Sequence, residues 1–289
     1  HLSLRRQRQM CIRDSHWIDM QVIEAGNIAR DYWKNMWARR ELLYFLARKD
    51  LLVRYRQTLI GIGWVVIRPF LTMVVFTVIF GSIAKLDSQG LPYGFIVFAG
   101  ILPWYLFASM LTETSSCLLA NTGLLTKIYF PRLIFPASIF ITCLVDFSVS
   151  FLLLLCMMAW YHLPLSWEIL LLPIFIITPA FFALGLGMMM ATLNVRYRDF
   201  QQLIPFILQL GIYISPVGYL NQLVPKRLGM VYSLNPMAGI IDGFRWCLMP
   251  SAITPYWPGV IFSCIASLII LILGIKVFRS AEARFADTI

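Results

Sequence analysis

The sequence predicts an all-α fold built from helices that cross a membrane, and three observations carry that prediction. Of the 289 residues, 60% are hydrophobic, and the mean hydropathy is +0.76. Asp, Glu, Lys and Arg make up only 13% of the chain, where a soluble domain carries about 25%. Residues 91–112, 169–195 and 200–225 contain none of these four types. Apolar runs of about 18 residues or more read as membrane-spanning helices.

Taken in order, the apolar runs predict six spans at 63–84, 94–117, 134–160, 169–193, 201–220 and 257–278. Basic residues near their ends set the orientation. Arg30, Lys34, Arg39, Arg40, Arg48, Lys49, Arg54 and Arg56 precede the first span. Lys127 and Arg132, Arg196 and Arg198, and Lys276, Arg279 and Arg284 fall on the same side. The other side holds only Lys85, Lys226, Arg227 and Arg245. Both termini are therefore expected in the cytoplasm. The net charge of +10 follows from this asymmetry and the anionic inner leaflet, so no nucleic-acid partner is needed.

Residues 1–19 are expected to be a non-native or disordered N-terminus. The opening "HLSLRRQRQMCIRDS" is basic, lacks apolar periodicity and precedes Met20. It resembles translated sequencing-adapter read-through, and no apolar core follows that would make it a signal peptide. Residues 20–62 form a cytoplasmic N-terminal segment, 63–278 the membrane domain and 279–289 a cytoplasmic tail. The six cysteines include no CxxC pair, and the three histidines lie apart from other ligand types. Neither a disulfide framework nor a metal site is expected. Phosphate-loop, GxSxG and HExxH motifs are absent, so the chain carries no recognisable hydrolase site. Gly185 and Gly187, inside an apolar run, suit close helix packing rather than a dinucleotide fingerprint.

Within 39–56, Leu42, Phe45, Leu46, Leu52 and Val53 share one helical face, with Lys49 and Arg56 intruding. Such a helix lies in the cytoplasmic interface or serves as a simple anchor. Ionisable residues inside a membrane are expensive, and three stand out. Arg68 and Glu113 sit at matching depths on spans one and two, which makes a pair feasible. Asp146 lies mid-span among Thr142, Ser148 and Ser150, either on a polar pathway or in a buried hydrogen bond. Pro69 is expected near the first turn of its helix, where a missing N–H is tolerated.

The inward loop 120–132, "ANTGLLTKIYFPR", suits a short surface helix, and "NVRYRDF" at 194–200 joins spans four and five. The outward segment 221–256 is too interrupted by Pro236, Asp242 and Arg245 for a seventh span. Two short helices dipping into the outer leaflet fit it better, the second opening near Pro236. With their aromatics they form either an external lid or an interfacial belt.

Four motifs then occur in order on this frame: "RELLYFLARKDLLVRYRQTLIGIGWVVIRPF", "NVRYRDF", "ISPVGYL" and "LNPMAGIIDGFR". Together they resemble ABC transporter permeases of the polysaccharide-export type, from about residue 24 to the C-terminus. The resemblance implies a homodimer bound to two separate ATPase subunits, which alone carry ATP and Mg. It implies export of lipid-linked glycan, such as undecaprenyl-pyrophosphate-linked O-antigen, across the bacterial inner membrane. On that reading 39–56 is the interface helix. Lys127, Tyr129 and Arg132 with Arg196, Arg198 and Asp199 meet the ATPase. Tyr219, Asn235, Pro236, Asp242 and Arg245 belong to a periplasmic gate. Arg54, Arg56 and Arg68 take up the lipid pyrophosphate, guanidinium groups being bidentate phosphate binders, or else act only as topology anchors. The rival class is an ion-coupled secondary transporter with Asp146 as its proton site.

Overall fold

The computed structural model describes residues 32–56, 61–86, 88–125, 130–164, 166–197, 199–223, 232–251 and 253–288, with side chains to 282. Every regular element among them is a helix. The chain divides into two units, residues 1–39 and 40–289. In the first, the described element is α1 (Tyr32–Ala38), whose Tyr32 and Trp33 rings meet edge to face at 6.1 Å. The expected N-terminal segment 1–19 lies outside the described residues.

The second unit contains α2 (Arg40–Arg56), α3 (Gly63–Phe76), α4 (Tyr93–Ala120), α5 (Thr122–Leu125), α6 (Ile134–Trp160), α7 (Leu172–Arg196), α8 (Phe200–Ile214), α9 (Pro236–Leu248) and α10 (Trp257–Thr288). Helix α3 runs on as a π-helical turn over Thr77–Ile83. Five stretches are long and apolar enough to cross a membrane, namely Gly63–Ile83, Tyr93–Ala120, Ile134–Trp160, Trp167–Arg196 and Trp257–Glu282. They match five of the six expected spans. The remaining one is shorter than the apolar run suggested. Helix α8 has 15 residues, roughly 22 Å at 1.5 Å per residue, against a hydrocarbon core of about 30 Å. Its end has a local cause. Ser215 is extended, with ψ at 151°, as the following Pro216 demands.

Helix α4 is the hub of the unit. Of its most apolar window, 78% is buried, against 17% for α3 and 22% for α10, and it packs on α3, α6, α7, α8 and α9. Glycines permit the closest approaches. A Cβ on Gly187 would meet the Thr114 Cβ at 2.7 Å. At the α7–α10 crossing, a Cβ on Gly185 would lie 2.5 Å from the Ile270 carbonyl oxygen, and one on Gly274 would lie 2.3 Å from that of Gly185. These two backbones therefore touch, as small residues allow in membrane helices.

Pro69 departs from its expected place. Helix α3 opens at Gly63, so Pro69 falls in the second turn, where its missing N–H frees the Val65 carbonyl. The Ser150 hydroxyl of α6 donates to that carbonyl at 3.0 Å, which satisfies it inside the bundle. Helix α2 also differs in detail. It buries Leu46 and Ala47, while Phe45, Leu52 and Val53 remain exposed. Its protein-facing side therefore takes in only part of the apolar stripe, Leu46, together with Ala47 beside it.

Helix α9 starts as its sequence dictates. Asn235 is extended and its Oδ1 accepts from the Met237 N–H at 3.1 Å, with Pro236 in the first turn, where no donor is lost. Nearly the whole helix is buried, Met237 through Phe244 included. It is a packed element of the unit, buried among its neighbours. Of the first short helix expected there, a single turn at Asn221–Leu223 is described.

Candidate functional site

The last turn of α2, which packs on α6, carries Arg54 and Tyr55 to the two intramembrane acids. The Arg54 guanidinium donates to Glu113 on α4 at 2.7 Å and to Asp146 on α6. The Tyr55 hydroxyl donates to the other oxygen of Asp146. Burial works against the Arg54 charge, but the two carboxylates outweigh it and raise its pKa. Burial and the bond to Asp146 push the Tyr55 phenol up as well.

The expected Arg68–Glu113 pair is therefore not formed. Glu113 is taken by Arg54, and Arg68 instead lies over the Trp64 ring, 6.0 Å from its centroid. Of the three arginines expected at the lipid pyrophosphate, Arg68 and Arg56 are exposed and Arg54 is half-buried. Asp146 is held by Arg54 and Tyr55, so of the two places open to it in the sequence it takes a hydrogen-bonded one beside the cavity.

Beside this cluster lies a cavity of about 370 Å³. Arg54, Tyr55, Trp64, Arg68, Tyr105, Ser109, Glu113 and Asp146 line it, with Leu102, Cys143 and Phe147 among its apolar walls. The Thr72 and Tyr105 hydroxyls, 2.9 Å apart, bridge α3 and α4 near Arg68. Chemically it is a mixed pocket with aromatic faces, hydroxyls, a compensated charge cluster and one guanidinium that has no carboxylate partner among the described residues.

Of the residues expected to meet an ATPase, Lys127, Tyr129 and Arg198 lie outside the described residues. Arg132 ties the end of its loop to α10. Its N–H donates to the Glu282 carboxylate at 2.9 Å, and its guanidinium to the Glu282 carbonyl at 2.5 Å. No local signal in the sequence links these two positions. Arg196 is exposed over the Tyr197 ring, 5.3 Å from its centroid, and Asp199 is exposed at the start of α8.

The expected gate residues gather at the broken end of α8. Arg245 is fully buried. Its Nε donates to the Ile96 carbonyl at 3.0 Å, Nη1 to those of Pro216 and Tyr219 at 2.7 and 2.9 Å, and Nη2 to that of Val217 at 2.7 Å. The break at Pro216 leaves carbonyls that helix geometry cannot satisfy, and the planar fork of one arginine serves them. Burial lowers the Arg245 pKa to about 10, so it stays charged at neutral pH. Burial also pushes the Asp242 carboxyl up to about 6, although Asn221 donates to it at 2.6 Å. The Tyr219 and Tyr232 hydroxyls are 2.8 Å apart, and the Asn235 amide donates to Ser215 at 3.0 Å.

Residues 41–249 match the family described as ABC-2 type transporter. The chain belongs to the ABC-2 family. It is also similar along almost its whole length to curated permeases. An "O-antigen export system permease protein RfbA" from Myxococcus xanthus is 27% identical over 259 residues, covering 89% of this chain and 98% of the relative. Its namesake from Klebsiella pneumoniae is 26% identical over 256 residues, 86% of this chain and 94% of the relative. The "Polysialic acid transport protein KpsM" of Escherichia coli is 21% identical over 250 residues, 81% of this chain and 91% of the relative. This ABC-2 protein is thus a multi-pass membrane subunit of a transporter.

Proposed function

We propose that this chain is the permease subunit of an ATP-driven exporter that moves lipid-linked polysaccharide from the cytoplasmic to the periplasmic face of the bacterial inner membrane. The observation that carries the reading is the end-to-end similarity to two named O-antigen export permeases. The cargo is O-antigen or a similar undecaprenyl-pyrophosphate-linked glycan. The working unit is a homodimer with two ATP-binding cassette subunits, which carry the ATP and Mg chemistry, and both termini face the cytoplasm. The loops at 120–132 and 194–200 receive those subunits, and the buried turn-and-helix around Arg245 forms the periplasmic gate region.

The pyrophosphate has one arginine left to meet it at the cavity. Arg54 is committed to two carboxylates and Arg56 stands exposed at the end of α2. Arg68 has no carboxylate partner among the described residues and lies over Trp64 on the cavity wall. Its planar fork fits a phosphate and lysine's does not, while the aromatic walls suit sugar faces. A strain lacking this gene should accumulate the lipid-linked glycan inside the cell, and the wild-type gene should clear it. A gene encoding Arg68→Lys should clear it only in part, with the permease and its ATPase present at normal levels. Absence of accumulation in the deletion strain would overturn the exporter reading, and full clearance by the lysine variant would return Arg68 to the role of a topology anchor.

A further inference from the structure

Where α4 packs on α7, two fully buried polar groups have no partner among the described residues. They are the Thr114 hydroxyl and the Asn194 Oδ1. Asn194 uses half of its amide. Its Nδ2 donates to the Ser115 carbonyl at 2.7 Å, while Oδ1 accepts nothing. Thr114, one residue before Ser115, turns its Cβ and methyl toward Gly187. Its neighbours behave differently, since Thr112 and Thr192 return their hydroxyls to the carbonyls four residues back, at 2.8 and 3.0 Å.

An unmet donor and an unmet acceptor are thus on facing helices at one crossing, within the apolar interior, where each is costly. A packing that leaves both unmet is poised against one that joins them. Gly187 lets Thr114 sit directly on the α7 backbone, since a Cβ there would lie 2.7 Å from the Thr114 Cβ, so no side chain of α7 locks the crossing at that point. The two helices also lead to the parts that matter for transport. Asn194 lies in the last turn of α7, two residues before its final Arg196, and Glu113, beside Thr114, holds Arg54 at the cavity.

Building on the exporter reading, we propose that the α4–α7 crossing is a two-position joint. In its second position the Thr114 hydroxyl donates to Asn194 Oδ1, and the transport cycle moves between the two positions. A push on the Arg196 end of α7 then reaches Glu113 and the Arg54 cluster through Asn194. Thr114 and Asn194 act as positioning residues, since neither lines the cavity.

Thr114→Val tests this directly, because it keeps the shape and deletes only a hydroxyl that the described packing does not use. The variant permease, co-expressed with its ATPase subunit, is measured for abundance, complex formation, ATP turnover and glycan exported. Abundance and assembly should match the wild type, while glycan exported per ATP should fall about fivefold, the shift one hydrogen bond gives a two-state equilibrium. Thr114→Ser should restore it. If Thr114→Val fails to accumulate, Thr114→Ala against Thr114→Ser makes the same comparison. Wild-type export per ATP in the hydroxyl-free variant would overturn the joint while leaving the exporter reading intact. That reading stands or falls separately on accumulation in the deletion strain.

Discussion

Two arginines are drawn inside this protein, and they are held by opposite means. Arg245 is fully buried and every acceptor given to it is a backbone carbonyl, from Ile96 on α4 and from residues 216–219. Arg54 keeps 29% of its side chain exposed and is held by two side-chain carboxylates from two different helices. Backbone acceptors cannot rotate or titrate away, so Arg245 fixes the chain's path around the break at Pro216. Carboxylates can do both, and a shift of α4 against α6 changes the Arg54 contacts at once. One site is a fastening and the other a latch.

Removing the fastening should have the larger effect. Arg245→Ala strands the four carbonyls in an apolar interior, and a loss of about 3–5 kcal/mol is expected by analogy with a broken buried charge site. The variant should fail to yield a monodisperse folded peak in detergent chromatography. Arg245→Lys, with a single nitrogen, should rescue it only in part. If Arg245→Ala folds at wild-type yield, the contrast collapses.

Loosening the latch should weaken folding less than that and reduce transport more. Arg54→Ala leaves two largely buried carboxylates without their cation, a loss of about 1–3 kcal/mol, so the variant should still reach the membrane at reduced abundance. Export should nonetheless drop, and Glu113→Gln combined with Arg54→Gln should be less harmful than the sum of the single changes. Additive losses would show that Arg54 and Glu113 act apart.

The smallest effect concerns pH. The folded carboxyl of Asp242 titrates near 6, above the unfolded value of about 4, so the folded protein binds the extra proton between them. Its contribution to stability is complete below about pH 4 and is lost as pH rises through 6. Asp242→Asn, which keeps an acceptor for Asn221, should abolish that slope in thermal unfolding of the detergent-purified protein. An unchanged slope would place the titration elsewhere.

The spans were legible because charge-free runs are long and one-dimensional. Residues 91–112 carry no charge, and all of them from Tyr93 on fall within α4. The cost of Glu113 and Asp146 was legible for the same reason, but their partner was not. Reading depth along the chain puts Arg68 inside and Arg54 outside, whereas the packing of α2 on α6 brings Arg54 to the acids. Such tertiary reach leaves no local trace. Arg245 did leave one. A proline that ends a helix inside an apolar segment strands carbonyls, and an arginine in the next apolar helix is the side chain best equipped to collect them. The spacing of Arg132 and Glu282 carried no comparable hint.

The bond from Ser150 to the Val65 carbonyl has a bearing on how this sequence can drift. Pro69 creates the need and Ser150 meets it, so the two positions are tied across about eighty residues of chain although their side chains need never touch. A lineage that exchanges the proline for leucine restores the N–H at 69, closes the helix on itself and frees position 150 to become alanine. A lineage that loses the serine first is left with a bare carbonyl until the proline follows. Substitutions at these two sites should therefore accumulate in one preferred order, the proline before the hydroxyl.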